Sequence, residues 1–574
     1  MINQALVKIF REIAVLLEMK EVPFKPQAYE KVSYIIGSLQ EEVSDIYKEG
    51  GIKALEDIPG VGKGIAEKIE EYIKTGHIKD YEKLKKEMPV DIEGLRSVEG
   101  IGPKTILHLY KKLGIKNLDQ LEKSAKAGKI RNIEGMGEKT EEKILKGIGF
   151  LKSSGGRLVS GFIMPTAKMF LDRIRALPEV GVAEFAGSLR RRQETIGDLD
   201  FIVFSKKPEA VIENFLKFPE VKHVYSKGKH KALVRLDINI DADISVVSPE
   251  SYGSAMIAWT GNKQHNIDIR KIAEKHGWLL NDFGLWKDKV SLASKTEEEV
   301  YNKMGMDWIP PEMRNDSGEI KAALEHKIPE LIGYDDLKGD LQVQTDWTDG
   351  EHSIEEMAKA AEKLGLEYIC ITDHTKSLAM TGGSDEKKLL KQMAEIDNVN
   401  SKFKIQSSKF KILKGAEVNI MKDGSLDIDD ETLAMLDVVG AAVHHNFNMS
   451  EDDMTKRITR AMKNPNVDII FHPTGRIINK REAYKVNVEE LLKIAKKTKT
   501  VMEIDAFPDR LDLKDEYIRK GVEMGVKFSI DSDAHHTSHL QYLEYGIAQA
   551  RRGWAEAKDI INTRPWQEML KLLK

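Results

Sequence analysis

The first ninety residues place apolar side chains at helical spacing. Leu6, Val7, Phe10, Ile13, Ala14 and Leu17 fall on one face of a 3.6-residue period, which predicts short helices over 1–90. Residues 91–152 are again helical. After residue 160 the pattern changes: strand-like runs at Phe201–Phe204, Ala232–Arg235 and Ile244–Val247 alternate with helical segments, an α/β arrangement over 153–315. A polar stretch around Arg314-Asn-Asp-Ser-Gly318 predicts a linker, taken as 316–337. Beyond it, apolar runs at Tyr368–Thr372, Val438–Val443, Val467–Phe471, Thr500–Ile504 and Lys527–Ile530 alternate with amphipathic helices. That rhythm predicts parallel βα units over 338–574.

One repeat stands out. Ile58-Pro-Gly-Val-Gly-Lys63, Val98-Glu-Gly-Ile-Gly-Pro103 and Ile133-Glu-Gly-Met-Gly-Glu138 share an apolar-x-Gly-apolar-Gly core, and each precedes a helical run. Gly60 with Gly62, and Gly100 with Gly102, permit a tight turn with open amides at a helix start, a site for a DNA phosphate. This helix-hairpin-helix pattern grips the backbone of DNA without reading its sequence. The third copy carries Glu138 where the first has Lys63, and a carboxylate is unfavourable against phosphate.

Composition narrows the classes. At 574 residues the chain holds roughly three to five domains. Its net charge of −4 divides into roughly +2 before residue 331 and roughly −6 after it. Any DNA is therefore held by local phosphate sites, not by a broad positive field. The single cysteine, Cys370, lies in an apolar run and excludes a disulfide framework or cysteine-rich zinc finger. With no signal-peptide pattern and no bilayer-length apolar run, a cytoplasmic protein is expected, with no membrane partner.

Two constellations carry chemistry. Gly187-Ser188, with Arg191 close behind, precedes Asp198-Leu-Asp200 on an apolar strand, where alternation turns both carboxylates to one face. Side by side they repel unless cations share the site, and a pair of magnesium ions bridged to a triphosphate is the natural occupant. Asp243, at the head of another strand, is the expected third carboxylate. Ser188 and Arg191 are expected to hold the triphosphate. In the C-terminal part, Asp349, His374, Glu417, His444, His472, Asp533 and His535 fall at predicted strand ends. That series predicts a ring of ligands around a barrel mouth. Its mixed imidazole and carboxylate donors suit zinc, manganese or iron.

Through Gly187-Ser188, Arg191, Asp198-x-Asp200 and Asp243, the chain resembles the family X DNA polymerases, the DNA polymerase β group, over residues 1 to about 315. The resemblance implies a helical lyase-like domain (1–90), a fingers-like domain (91–152), a nucleotidyltransferase palm (153–250) and a thumb-like domain (251–315). It puts Trp259, Gly261, Asn266 and Arg270 in the nucleotide pocket, with Asn266 at the base edge and Arg270 near the template. Ala258-Trp259 stands where the family often has Tyr-Phe, which leaves more room beside the sugar. The resemblance also implies a deoxyribose-phosphate lyase whose Schiff-base lysine is Lys68, with Lys25, Tyr29 and Lys31 in the phosphate-binding region. Gly64 stands where some members have a further lysine.

The C-terminal ligand series resembles the PHP (polymerase and histidinol phosphatase) domain over 338–574, a distorted β/α barrel binding up to three metals. In PHP-bearing family X polymerases that domain is associated with manganese-dependent 3′–5′ exonuclease activity. Where the first motif usually reads His-x-His, this chain has Gln342 and Gln344, so a weakened first metal position is expected. The sequence thus predicts a multidomain DNA polymerase that fills gapped or nicked duplex DNA in base-excision repair. Deoxynucleoside triphosphates are the substrates, magnesium serves the palm, manganese or zinc serves the barrel, and the chain is a monomer. Two alternatives are a nucleotidyltransferase with a non-DNA acceptor and a small-molecule phosphatase centred on the barrel. The hairpins argue against the first, because a small acceptor needs no duplex grip.

Overall fold

The computed structural model describes residues 2–574 apart from 40, 59, 99–100, 154–155, 239 and 406–408. Two compact units emerge: one runs to Gly156 and includes Asn479–Arg481, and the other comprises Arg157–Ile478 and Glu482–Lys574.

The first unit is helical. The stripe read from the sequence is buried: Leu6, Phe10 and Ile13 of helix Ile2–Met19 pack with Val32, Ile36, Leu55 and Ile69. A second core gathers Leu95, Ile106, Leu109, Leu121, Ile144 and Ile148. The repeated motif makes the same turn three times. Val61 N–H donates to Ile58 C=O (2.9 Å), Ile101 N–H to Val98 C=O (3.1 Å) and Met136 N–H to Ile133 C=O (2.9 Å). In each, the residue between the glycines is a buried plug. Gly60 requires its glycine, with φ at 81° and a hypothetical β-carbon 2.7 Å from Ile35 Cδ1.

The second unit holds two sheets that bear on function. A five-stranded sheet runs in the order Val182–Phe185, Asp198–Phe204, Asp241–Val247, Lys231–Leu236, Val221–Lys227. Strands Asp198–Phe204 and Asp241–Val247 are parallel neighbours, with Asp200 paired in register to Asp243. Helices Tyr252–Thr260 and Lys263–Lys275 and a small antiparallel sheet over 279–293 follow. Their core contains Ile257, Ile269, Leu285, Val300 and Tyr301. Buried Glu297 bridges Arg190 (2.9 Å) and Arg314 (2.7 Å), tying this region back to the first sheet.

The second sheet has seven parallel strands in sequence order, from Gly339–Val343 to Phe528–Asp531. Its ends approach through a bridge between Val343 and Ala534 and the bond from Gln344 N–H to Ala534 C=O (2.8 Å), so the barrel nearly closes. The strands are buried almost throughout, with helices over the outside of the barrel and the strands' own side chains filling its interior. The segment read as a linker is built in. Helix Glu319–Leu324 sends Ala323 into the preceding core, while Ile332 and Leu337 enter the barrel core. Its polar start concealed apolar residues that pack on both sides.

Candidate functional site

At the palm sheet, local backbone geometry sets the first centre. Ala186 N–H donates to Asp200 C=O at 2.9 Å. The chain then turns at Gly187, with φ at 54°, into the short helix Gly187–Arg190 that carries Ser188. Asp198, Asp200 and Asp243 cluster at the strand starts. Burial, with the charges of Asp198 and Asp243, pushes the Asp200 carboxyl up to about 7. Burial also raises Asp243, partly offset by Lys231, whose Nζ lies 2.6 Å from Asp243 Oδ2. Lys231 also sits over the Trp259 ring at 4.8 Å. Asp243 Oδ1 is buried without a hydrogen-bond partner. Three converging carboxylates, one with an unpartnered buried oxygen, fit divalent cations.

Around this cluster the other predicted residues take distinct places. The Arg191 guanidinium donates to Thr260 C=O, and burial lowers its pKa to about 10 against the pull of Asp200. Asn266 Nδ2 donates to Ala258 C=O (2.7 Å), leaving Asn266 Oδ1 unpartnered. Gly261 sits so close that a β-carbon there would lie 2.8 Å from Asn266 Oδ1. Arg270 is exposed on helix Lys263–Lys275.

In the first unit, helices Lys63–Thr75 and Pro103–Leu113 start at Gly62 and Gly102 with no side-chain cap, so first-turn amides face outward unpaired by side chains. Gly100 lies outside the described residues. Glu138 instead pairs with Arg131 at 2.8 Å, a local use of the third hairpin's carboxylate. Tyr29 is buried against Phe10, and Lys25 and Lys31 are exposed on the same helix. Lys68 is mostly buried and paired with Asp80. Burial opposes its charge, but Asp80, with Tyr29 and Glu71, outweighs burial and raises the lysine's pKa. Asp80 carried no motif and was invisible in the sequence.

At the barrel mouth, the ligand series converges from the C-terminal strand ends. Glu417 Oε1 receives His444 Nε2 and His472 Nε2, both at 2.8 Å, and Glu417 Oε2 lies 3.3 Å from His374 Nδ1. Asp349 Oδ2 lies 3.6 Å from His374 Nε2 and 3.7 Å from His535 Nε2. Burial opposes ionisation of Glu417, yet His374 and His444 hold its carboxyl well below the usual range. The outward nitrogens are fixed: His444 Nδ1 meets Asn419 Oδ1 (2.7 Å) and His535 Nδ1 meets Asp533 C=O (2.8 Å). Such outer bonds leave Nε2 of each ring for the mouth. His472 and Asp533 adopt positive φ, 29° and 51°, where backbone is bent to aim side chains. Among the described residues, two donor groups converge closely enough to share a cation: Asp349, His374 and His535, and His374, Glu417 and His444.

A nucleotidyltransferase-type carboxylate cluster and a ligand-lined barrel on one chain define a two-centre, polymerase-β-like architecture. Comparisons agree with it. A helix-hairpin-helix domain matches residues 1–78, a SAM-like helix-hairpin-helix tandem matches 92–149, the DNA polymerase beta thumb matches 255–315 and the PHP domain matches 340–563. The DNA polymerase/3′-5′ exonuclease PolX of Bacillus subtilis (strain 168) is 35% identical over 99% of both chains. DNA polymerase lambda of Arabidopsis thaliana is 26% identical over 46% of this chain and 54% of its own. A probable phosphatase of Thermoanaerobacter sp. (strain X514) is 33% identical over 37% of this chain and 84% of its own. The chain belongs to the PolX family, the family X DNA polymerases that carry a PHP domain. No helix among the described residues is long and apolar enough to cross a membrane.

Proposed function

We propose that the chain is a template-directed DNA polymerase that fills short gaps in duplex DNA during base-excision repair, acting as a cytoplasmic monomer. The observation that carries the reading is the register pairing of Asp200 with Asp243 beside Gly187-Ser188. Magnesium ions held by Asp198, Asp200 and Asp243 would neutralise the triphosphate and acidify the primer 3′-hydroxyl. Asp243 accepts the proton of that hydroxyl, and Ser188 and Arg191 bind the triphosphate. Trp259, Gly261 and Asn266 form the nucleotide pocket, and Arg270 approaches the template. The open amides at Gly62 and Gly102 grip the DNA backbone, which makes binding sequence-tolerant and salt-sensitive. Lys25, Tyr29 and Lys31 take a 5′-phosphate, and Lys68 is the Schiff-base amine of a lyase step.

The barrel is a second, phosphoester-cleaving centre of 3′–5′ polarity. Manganese or zinc ions at Asp349, His374, Glu417, His444, His472, Asp533 and His535 would supply Lewis acidity toward a phosphodiester. Cleavage is weak relative to extension, because Gln342 and Gln344 offer neutral amides where imidazoles would bind. The test is primer extension on gapped duplex with magnesium or manganese, beside RNA and small-molecule acceptors. Template-dependent extension of the gap is expected. Transfer to a non-DNA acceptor without gap filling would overturn the reading.

A further inference from the structure

Glu417 anchors the barrel mouth, yet on one side its partners are not metal-binding groups. Gln342 Nε2 and Gln344 Nε2 donate to Glu417 Oε2 at 3.2 Å and 2.9 Å. Two amide N–H donors thus point along directions a cation would use. An amide oxygen is also a poorer partner than imidazole for zinc or manganese. The donor set on this side does not fit a metal ion.

A positive charge nevertheless stands at the same barrel mouth, against Asp505 and Asp533. Arg510 follows the strand Val501–Asp505, and its Nε lies 3.4 Å from Asp505 Oδ2 and 3.4 Å from Asp533 Oδ2. Both carboxylates are buried, and Asp340, Glu503 and Asp531 are buried close by in the same strand-end layer. A buried carboxylate that stays ionised needs a cation beside it, since unpaired buried charge is costly. A guanidinium stays charged at every working pH and is weakly hydrated, so it tolerates burial better than an ammonium. No hydrogen bond of the terminal NH2 groups of Arg510 is found among the described residues. The amide oxygens of Gln342 and Gln344 are likewise buried without a partner, acceptors of the kind that guanidinium N–H groups fit.

We propose that Arg510 takes the electrostatic place of the first metal: the barrel binds two metal ions, and the Arg510 guanidinium is the fixed third cation. The two ions belong with the two donor groups that converge at the mouth: Asp349, His374 and His535, and His374, Glu417 and His444. Arg510 holds Asp533 and Asp505 in place and offers its NH2 groups to a non-bridging oxygen of a phosphodiester. A chelator removes the two ions but not this charge. The inference rests on the reading of the barrel mouth as a metal centre.

The experiment counts manganese per chain by elemental mass spectrometry on the full-length protein with Asp198→Asn and Asp200→Asn, so that the palm adds no metal; this palm-silent protein is the wild-type reference. Thermal melting is followed alongside. Two ions per chain are expected for the wild type. Two are expected again for Gln342→His with Gln344→His, because Arg510 still fills the place. Three are expected when Arg510→Gln is added to that pair. Three ions in the wild type, or in the double variant with Arg510 intact, would overturn the proposal while leaving the metal-centre reading standing. Two ions in a stably folded triple variant would overturn it as well. Fewer than two in the wild type would sink the metal-centre reading and the proposal together. Should the triple variant fail to fold, manganese anomalous scattering from wild-type crystals decides. Two peaks, neither within bonding distance of Gln342 or Gln344, are expected, and a peak bonded to either glutamine would overturn the proposal.

Discussion

A β-carbon at Gly187 would lie 1.8 Å from Asp200 Oδ2, so the glycine and the carboxylate occupy each other's space. With φ at 54°, position 187 also has a conformation that favours glycine. Gly187→Ala must therefore displace Asp200 or unwind the turn that carries Ser188. The expected loss in gap-filling kcat is on the order of 100-fold, the scale of a misplacement of about 1 Å at a reacting centre. Binding of gapped duplex should stay near wild type. Single-turnover extension with a parallel binding titration checks this. Wild-type extension by the alanine variant would show that Asp200 is not needed where it stands.

Lys68 is a poor nucleophile while Asp80 holds it. Burial favours the neutral amine, but the bond to Asp80, joined by the fields of Tyr29, Asp80 and Glu71, outweighs it and keeps the lysine protonated over a wider pH range. A Schiff base needs the neutral form. Asp80→Asn removes the group that raises the pKa, so borohydride trapping on a 5′-abasic end should quicken at neutral pH and its rate profile should move to lower pH. Lys68→Ala should abolish trapping. An unmoved profile in Asp80→Asn would mean that Asp80 does not control the amine.

Much of this was legible because it is local. Two glycines around one apolar residue specify a hairpin turn from neighbours alone, and alternation puts Asp198 and Asp200 on one strand face without tertiary knowledge. The βα rhythm predicted parallel strands for the same reason. What stayed hidden depends on distant partners. Asp80, Lys231 and Arg510 belong to no motif, and each matters only because folding brings it to Lys68, Asp243 or Asp533. The stretch 316–337 looked like a linker because its first residues are polar, yet Ala323 and Ile332 bury on opposite sides of it. Strand Lys411–Asn419, which carries Glu417, was obscured by the lysines in its first turns of sequence.

Glu194 joins the palm to the barrel and should govern acid stability. Arg476 holds it through two bonds of 2.7 Å and 3.1 Å, and Gln549 Nε2 donates to it at 2.9 Å. Burial opposes its charge, but Arg476 and Arg552 hold the carboxyl down at about 2, below its ordinary 4.5. A depressed carboxylate contributes stability that is present above pH 4.5 and is lost as pH falls toward about 2. Glu194→Gln leaves the buried Arg476 guanidinium short of a counter-charge, while Arg552 keeps Asp515 at 3.0 Å, and the expected cost is about 3–5 kcal/mol. The variant should also lose the part of the acid dependence that falls in that window. Denaturant melts at neutral and acid pH check both. A variant as stable as wild type at neutral pH would contradict this account of the contact.

The two centres on one chain should act independently. The most direct measurement pairs extension of a one-nucleotide gap with manganese content in three proteins: wild type, Asp200→Ala and Glu417→Gln. Asp200→Ala should lose extension and keep the metal of the barrel. Glu417→Gln should lose barrel metal and keep extension near the wild-type rate. Extension at wild-type rate by Asp200→Ala, or loss of extension in a folded Glu417→Gln, would contradict the account.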